Sequence, residues 1–472
     1  MSASLSMFMS NHEHRGSSFD KLRTSGVALA LVCLSMLTAF VPLHAQQRDL
    51  RVLEAVKRRD ERAFDALLRA KADVNTAQAD GATALAWAVH LGERHMAEAL
   101  LDAGAIVDTA DEYGETPLTL AAANGDAALV QRLLAAGGNA RGARWNGETA
   151  VMIAAGAGSL DAVRALVRHG ADVNVGEPRG RQTALMWAAA EGHSDVVAGL
   201  IELGADVNAA SRLGFTPIVF AAVKDDVTSI RTLLAAGANP NVTLQSGARP
   251  LIVAMQFKHT AAGLALLEGG ADVNGRDRAG NTTLHLAAQV GDLNLVRALL
   301  AKGADPNVRT PRSTAAVGAR GGGGRGGPAG EQTPLMVAAR GDHEGVMRAL
   351  VAAGADPALR AQDGGSLLMA AAAGARLSTF KYAYEIDPHV DVVTTTANTL
   401  MHAAVAINGR TQPEVCEVIQ FLADHDAKLD ELNAAGRTPI SVADNLPVDL
   451  AVDLLTKLIT ERGGVPKIPS KR

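Results

Sequence analysis

Residues 333–339 read Thr-Pro-Leu-Met-Val-Ala-Ala, and a tetrad like the first four of these residues recurs along the chain at an almost fixed interval. The tetrads begin at Thr83, Thr116, Thr149, Thr183, Thr216, Arg249, Thr282, Thr333, Ser366, Thr399 and Thr438. Subtracting successive starting positions gives 33, 33, 34, 33, 33, 33, 51, 33, 33 and 39. The two longest intervals exceed the period of 33 by 18 and by 6, which indicates insertions into the same repeat. The excess of six residues falls at 408–413, and we expect it between the two helices of the repeat that begins at Thr399. A fixed period of this length predicts a stack of small repeats rather than several globular domains.

The repeat at residues 211–241 shows what each period contains. Thr216 precedes Pro217, and threonine at the N-cap followed by proline at the first helical position is a helix start. The Ile-x-x-Leu-Leu spacing at residues 230–234 places three side chains on one face of a second helix. Gly237 after two alanines is the expected left-handed helix stop. Because two such short helices cannot bury their apolar faces alone, neighbouring repeats must cover them.

Four features of the period carry a family resemblance. They are residues 333–339, the break Ala190-Glu191-Gly192-His193, the Val-x-x-Leu-Leu helix, and the closing segment Gly204-Ala205-Asp206-Val207-Asn208. Together they resemble the ankyrin repeat over roughly residues 48–462. The resemblance implies an all-α solenoid whose helix-turn-helix repeats stack into a curved array. Ankyrin arrays share this scaffold and differ in what they bind, so the fold alone does not fix the function.

The repeat pattern divides the chain into seven segments. These are a signal peptide or N-terminal anchor (1–45), an N-terminal capping repeat (46–82), regular repeats (83–308), a flexible Gly/Arg-rich insertion (309–331), partly degenerate repeats (332–437), a C-terminal capping repeat (438–462) and a basic tail (463–472). Charged residues crowd one side of the first repeat, as the exposed end of a stack requires. The glycine density of the insertion predicts a flexible loop that projects from the stack.

The N-terminal segment has the features of an export signal. Lys21 and Arg23 precede an uncharged run at residues 26–43, and a cleavage site follows at Ala45. This pattern predicts a periplasmic or secreted bacterial protein. Two alternatives stay open: the run is retained as an inner-membrane anchor, or the protein is an intracellular scaffold whose true start lies later. After cleavage only Cys416 would remain, so no intramolecular disulfide is expected.

Composition and motifs argue against most other functions. The net charge of −5 indicates no bulk polyanion partner. We expect no catalytic residues and no cofactor, since the sequence has no phosphate-binding lysine loop, His-Glu-x-x-His or Cys-x-x-Cys motif, and no strand is expected before the Gly-rich run. A recurring aspartate suggests a calcium ladder, but turn chemistry explains it better. It stands at Asp172, Asp206, Asp272 and Asp305. We therefore expect neither a metal nor a nucleic acid as ligand.

Two registers of the first helix have a structural and a functional interpretation. Trp87, Trp187 and Phe220 lie four residues after the tetrad start and form either an aromatic binding stripe or part of the core. The even apolar filling of this register in other repeats favours the core. His285 and His402 take the last tetrad position, where most repeats have methionine or an aliphatic residue. The resemblance implies a structural hydrogen-bonding role for both histidines.

The turn tips between repeats carry the candidate binding residues. In ankyrin-like arrays these tips and the short first helices form the concave recognition surface. The candidates are Tyr113, Arg144, Trp145, Arg179, Arg181, Arg212, Phe215, Arg276 and Arg278, with Arg360 in a further tip. Arginine beside exposed aromatic residues is typical of binding hot spots, although a solvated turn can have the same composition. The hypothesis is a monomeric, non-enzymatic scaffold that binds an acidic segment of a partner protein. The alternative is a targeting or regulatory subunit of an exported enzyme or toxin assembly.

Overall fold

The computed structural model describes residues 49–313, 330–405 and 409–466. Its helices are α1 (Arg51–Lys57), α2 (Glu61–Arg69), α3 (Ala84–His90), α4 (Arg94–Asp102), α5 (Pro117–Ala123), α6 (Ala127–Ala135), α7 (Ala150–Gly156), α8 (Leu160–Arg168), α9 (Ala184–Glu191), α10 (Ser194–Glu202), α11 (Pro217–Lys224), α12 (Val227–Ala235), α13 (Pro250–Gln256), α14 (Thr260–Glu268), α15 (Thr283–Val290), α16 (Leu293–Ala301), α17 (Pro334–Arg340), α18 (Glu344–Ala352), α19 (Leu367–Ala372), α20 (Leu377–Ile386), α21 (Leu400–Ala404), α22 (Gln412–Asp424), α23 (Pro439–Ala443) and α24 (Asp449–Glu461). Odd numbers mark the first helix of each repeat and even numbers the second. Over these ranges the fold is all-α, as predicted.

Several predicted segments lie outside the described residues. They are the signal peptide at 1–45, positions 314–329 of the Gly/Arg-rich insertion, and residues 467–472 of the basic tail. None of the helices in the described ranges combines the length and apolar character that a membrane crossing requires. The candidate anchor at residues 26–43 is not among them.

The predicted helix boundaries are confirmed at the atomic level. The Thr116 hydroxyl accepts a hydrogen bond from the Thr119 amide at 3.2 Å, which satisfies a free donor at the start of α5. Pro117 occupies the first helical position, where its missing amide hydrogen removes no bond. Gly204, after α10, has a φ of 87°, the left-handed conformation that glycine adopts without strain.

The structure divides into two compact units. The first unit comprises described residues 49–220 and 235–238, and the second comprises 221–234 and the described residues from 239 onward. In the first unit, first helices α1, α3, α5, α7 and α9 pack consecutively, and second helices α4, α6, α8 and α10 do the same. Alanines in the first helices, including Ala88, Ala121 and Ala154, are fully buried, so neighbouring helices approach closely. Stacking of neighbours therefore supplies the core.

The second unit follows the same plan with local changes in helix length. First helices α13 to α23 pack in sequence, as do second helices α14 to α24. Among the partly degenerate repeats, the one that begins at Ser366 retains its second helix, because α20 is ten residues long and buries Phe380 completely. The six-residue excess at 408–413 was expected between two helices, but α22 begins at Gln412 and is 13 residues long. Part of the added length therefore extends a helix and is not a loop.

Candidate partner-binding surface

The tips of the repeats are closed by one recurring backbone hydrogen bond. In the first unit, the Asp111 amide donates to the Glu115 carbonyl at 3.0 Å, and the Ser211 amide donates to the Phe215 carbonyl at 2.9 Å. The tip after α8 is one residue longer, because the Glu177 amide donates to the Gln182 carbonyl at 3.1 Å. This extra residue explains why the interval between the tetrads at Thr149 and Thr183 is longer by one than its neighbours.

A buried carboxylate shapes the longer tip. Glu177 is 8% exposed, and its side chain accepts hydrogen bonds from the amides of Arg179 (2.7 Å), Gly180 (2.7 and 2.8 Å) and Gln182 (3.1 Å). Arg181 has a φ of 56°, a left-handed conformation that this network holds. Both arginine side chains are exposed, and in the described parts of the chain neither forms an ion pair. The tip therefore presents two positive charges to solvent.

Neighbouring tips in the first unit contact one another directly. The Trp145 amide lies 3.4 Å from the Tyr113 carbonyl, and the Arg212 amide donates to the Gly180 carbonyl at 2.7 Å. Gly147 lies so close to Pro178 that an added Cβ atom would overlap the proline ring. Four successive tips therefore form one continuous strip.

The aromatic candidates of this strip differ in exposure. Trp145 is 66% exposed, although tryptophan is a residue that proteins usually bury. Tyr113 and Phe215 are half-buried, and the Phe215 ring lies 5.7 Å from the ring of Phe220. The Arg212 guanidinium donates to the Pro178 carbonyl at 2.9 Å and is exposed. We name the set Tyr113, Trp145, Arg179, Arg181, Arg212 and Phe215 the first-unit tip surface.

Arg144 lies beside this surface but has its charge compensated within the chain. Its guanidinium lies 2.7 Å from the Glu115 carboxylate of the preceding repeat and 2.9 Å from the Glu148 carboxylate of its own repeat. The Thr119 hydroxyl donates to the second oxygen of Glu115 at 2.9 Å. With only 20% of its side chain exposed, Arg144 joins two repeats and is poorly placed to meet a partner.

The remaining predicted arginines belong to the second unit. Arg276 donates to the carbonyls of Gly280 at 2.8 Å and Arg309 at 3.0 Å, so it fastens adjacent tips. Arg278 is exposed. Arg360 pairs with the buried carboxylate of Asp387 at 3.2 Å. These contacts give Arg276 and Arg360 structural tasks, and the second unit lacks an exposed tryptophan in its described tips.

The first-helix aromatic register belongs to the core, as favoured from the sequence. Trp87, Trp187 and Phe220 are 7%, 9% and 8% exposed. The Lys57 ammonium group lies 4.8 Å from the centre of a Trp87 ring, and the Trp87 indole nitrogen donates to Gln78 at 3.1 Å. These rings therefore stabilise the stack and do not form an open binding stripe.

The recurring aspartates make turns, and the asparagines after them link repeats. The Asp172 carboxylate accepts a hydrogen bond from the Asn174 amide at 2.9 Å. Asn174 in turn donates to the Gly204 carbonyl at 3.0 Å and accepts from the Asp206 amide at 2.8 Å. Asn241 and Asn307 make equivalent contacts in the second unit. Within the described residues, no three His, Cys, Asp or Glu side chains gather in a way that suits a metal ion.

His285 has the structural role that the resemblance implied. Its Nδ1 atom lies 2.9 Å from the Thr282 hydroxyl, and its Nε2 atom lies 2.9 Å from the Gln332 carbonyl in the next repeat. The neutral ring that donates through Nε2 satisfies both contacts. Burial lowers the pKa of His285 from its ordinary value of 6.5 to about 4. His402 makes the same pair of contacts, and burial lowers its pKa too.

Comparison with known proteins identifies the family. A model for ankyrin repeats in groups of three matches residues 52–141, 118–211 and 218–310, and a model for a single ankyrin repeat matches residues 330–362. These matches cover more than half of the chain, which therefore belongs to the ankyrin repeat family. Ankyrin repeats are generally protein–protein interaction modules and are typically non-enzymatic. The helix pairs continue beyond the matched residues to α24.

Among solved structures, the chain is similar to the human ASB11 ankyrin repeat domain. The two are 27% identical, with a TM-score of 0.43, and the match covers 47% of this chain and 98% of that one. A search of curated proteins gave no match.

Proposed function

We propose that the protein is a non-enzymatic, monomeric scaffold that binds an acidic segment of a partner protein through the first-unit tip surface. The observation that carries this proposal is the placement of Trp145, 66% exposed, in a strip of tips that also presents Arg179 and Arg181. Tryptophan, tyrosine and arginine are the residues most enriched in binding hot spots. The two arginine charges favour an acidic partner over a basic or neutral one.

The expected contributions to the free energy of binding differ between the tryptophan and the arginines. Burying the exposed part of an indole removes on the order of 150 Å² from water. That burial contributes about 4 kcal/mol before the cost of association is subtracted. An exposed arginine in an ion pair contributes up to about 1 kcal/mol. Trp145 therefore supplies most of the affinity, while Arg179 and Arg181 orient the partner and speed its encounter.

The test compares partner recovery by the full chain and by three variants. Each is immobilised and exposed to periplasmic extract of the source organism, and the bound proteins are quantified by mass spectrometry. We expect Trp145→Ala and the double variant Arg179→Glu/Arg181→Glu to lose a protein that contains an acidic segment. Higher salt should weaken its binding to the wild type. Arg168→Glu is the control, because Arg168 is an exposed arginine on a second helix of the same unit.

Two results would contradict the proposed binding site. One is equal recovery of every bound protein by the wild type and by both tip variants. The other is loss of the partner in Arg168→Glu to the same extent as in the tip variants. Circular dichroism of each variant distinguishes loss of binding from loss of folding.

The proposed place of action is the periplasm or the exterior of the cell. The support is the basic stretch, apolar run and cleavage site in residues 1–45. N-terminal sequencing of the native protein tests this part separately. A mature end at Gln46 supports export, whereas an intact apolar run at residues 26–43 supports an inner-membrane anchor.

A further inference from the structure

An open groove lies on the second helices of the second unit, away from the tips. It has a volume of about 500 Å³ and runs between α16 and α18. Leu293, Arg297 and Leu300 line it from α16, and the small residues Gly345, Ala349 and Ala352 line it from α18 together with Arg348. Because most of the α18 side is made of short side chains, part of the apolar face of α16 stays accessible.

Two ion pairs connect neighbouring second helices at the same register. Arg164 is the fifth residue of α8, and its guanidinium lies 3.4 Å from Glu202, the ninth residue of α10. Arg231 is the fifth residue of α12, and its guanidinium lies 3.0 Å from Glu268, the ninth residue of α14. In both pairs the ninth residue of one second helix compensates the fifth residue of the helix before it.

The groove lies where this pattern is interrupted. Arg297 is the fifth residue of α16, but the ninth residue of α18 is Ala352. Arg348, the fifth residue of α18, is compensated differently, because its guanidinium lies 2.7 Å from the Glu344 carboxylate of the same helix. Arg297 is exposed, and in the described parts of the chain its side chain has no hydrogen bond or ion pair. The groove therefore combines an apolar floor with one uncompensated positive charge.

We propose that this groove binds an amphipathic helix of a partner protein, which presents a carboxylate to Arg297 and apolar side chains to Leu293 and Leu300. The carboxylate would take the position that Glu202 and Glu268 hold in the other pairs. Leu293 and Leu300 are seven residues apart, about 10 Å along a helix axis. Two turns of an incoming helix, with anchors at i, i+3 or i+4 and i+7, match that length. The proposal does not depend on the first-unit tip surface.

A selection from a displayed library of random peptides tests this groove. The full chain is the bait, and the enriched peptides are the probes whose affinities are then measured by fluorescence anisotropy. We expect the enriched peptides to share an acidic residue and apolar residues at helical spacing. Arg297→Ala removes the charge, and Ala352→Glu supplies an internal carboxylate. Each should weaken peptide binding by about threefold to fivefold, the loss that an exposed ion pair implies.

Glu268→Ala is the matched control for the arginine charge. It leaves Arg231 without its carboxylate at the same register but lies outside the groove, so peptide affinity should stay unchanged. The proposal is overturned if no such peptides are enriched, or if they bind Arg297→Ala and Ala352→Glu as tightly as the wild type. A wild-type dimer that Ala352→Glu converts to a monomer would assign the groove to a second copy of the chain and also overturn it. Thermal melts establish that each variant is folded.

Discussion

Replacing His285 with methionine should remove a pH-dependent part of the stability of the second unit. Methionine is the matched choice, because Met152, Met186 and Met336 occupy the same tetrad position in other repeats. Burial lowers the pKa of His285 from 6.5 to about 4 in the folded protein. Between these two pH values the unfolded chain binds a proton that the folded chain does not. The stability from the neutral ring is therefore fully present above about pH 6.5 and is lost as the pH falls toward 4.

The size of this effect follows from the difference between the two pKa values. Lowering the pH from 7.5 to 4.5 should reduce the free energy of unfolding of the wild type by about 2.5 kcal/mol through this ring. Urea denaturation of the wild type and of His285→Met at both pH values provides the test. Carboxylates such as Asp126 also titrate in acid, but they do so in both proteins and cancel in the comparison. An equal loss of stability in the two proteins would refute the reasoning.

Three further substitutions have expected effects on stability that urea denaturation can measure. Arg144→Glu places a third carboxylate against two others, so it should cost about 2–4 kcal/mol, and a loss below about 1 kcal/mol would contradict the pairing. Gly147→Ala should cost more than Gly104→Ala, because both residues have positive φ but only Gly147 abuts a neighbouring tip; equal costs would show that the tips are not in contact. Asn174→Ala removes two hydrogen bonds between repeats and should cost about 1–3 kcal/mol, whereas an unchanged midpoint would argue against this link.

The sequence predicted the repeat architecture well because its signals are local. Thr116 and Pro117 mark a helix start within two residues, and Gly204 marks a stop through its own backbone conformation. Repetition then confirmed each signal in neighbouring periods. The same local chemistry predicted the turn role of Asp172. Local signals failed for α22, since Pro413 was placed in an insertion although proline is accepted near a helix start.

The binding surface was less predictable because it depends on contacts between repeats. Arg144 and Arg179 both lie in turn tips, and the sequence alone predicted both as partner-binding residues. Only the structure shows that the Glu115 carboxylate of the preceding repeat compensates the charge of Arg144. The Glu177 carboxylate, in the same tip as Arg179, accepts hydrogen bonds from backbone amides and does not compensate the charge of Arg179. The lengthened interval before Thr183 was a detectable sign of the longer tip. The uncompensated charge of Arg297 was also recoverable in principle, by aligning the second helices and noting Ala352 at the position that Glu202 and Glu268 hold after Arg164 and Arg231.

The most direct test of the proposed function is site-specific photo-cross-linking in intact cells of the source organism. A photo-reactive phenylalanine analogue replaces Trp145 in one strain and Glu98, an exposed residue of α4, in another. The account predicts one major adduct from position 145, with the cross-linked peptide rich in acidic residues and its yield reduced by Arg179→Glu/Arg181→Glu. Absence of any adduct at position 145, or the same adduct at position 98, would contradict the claim that the first-unit tip surface binds a partner.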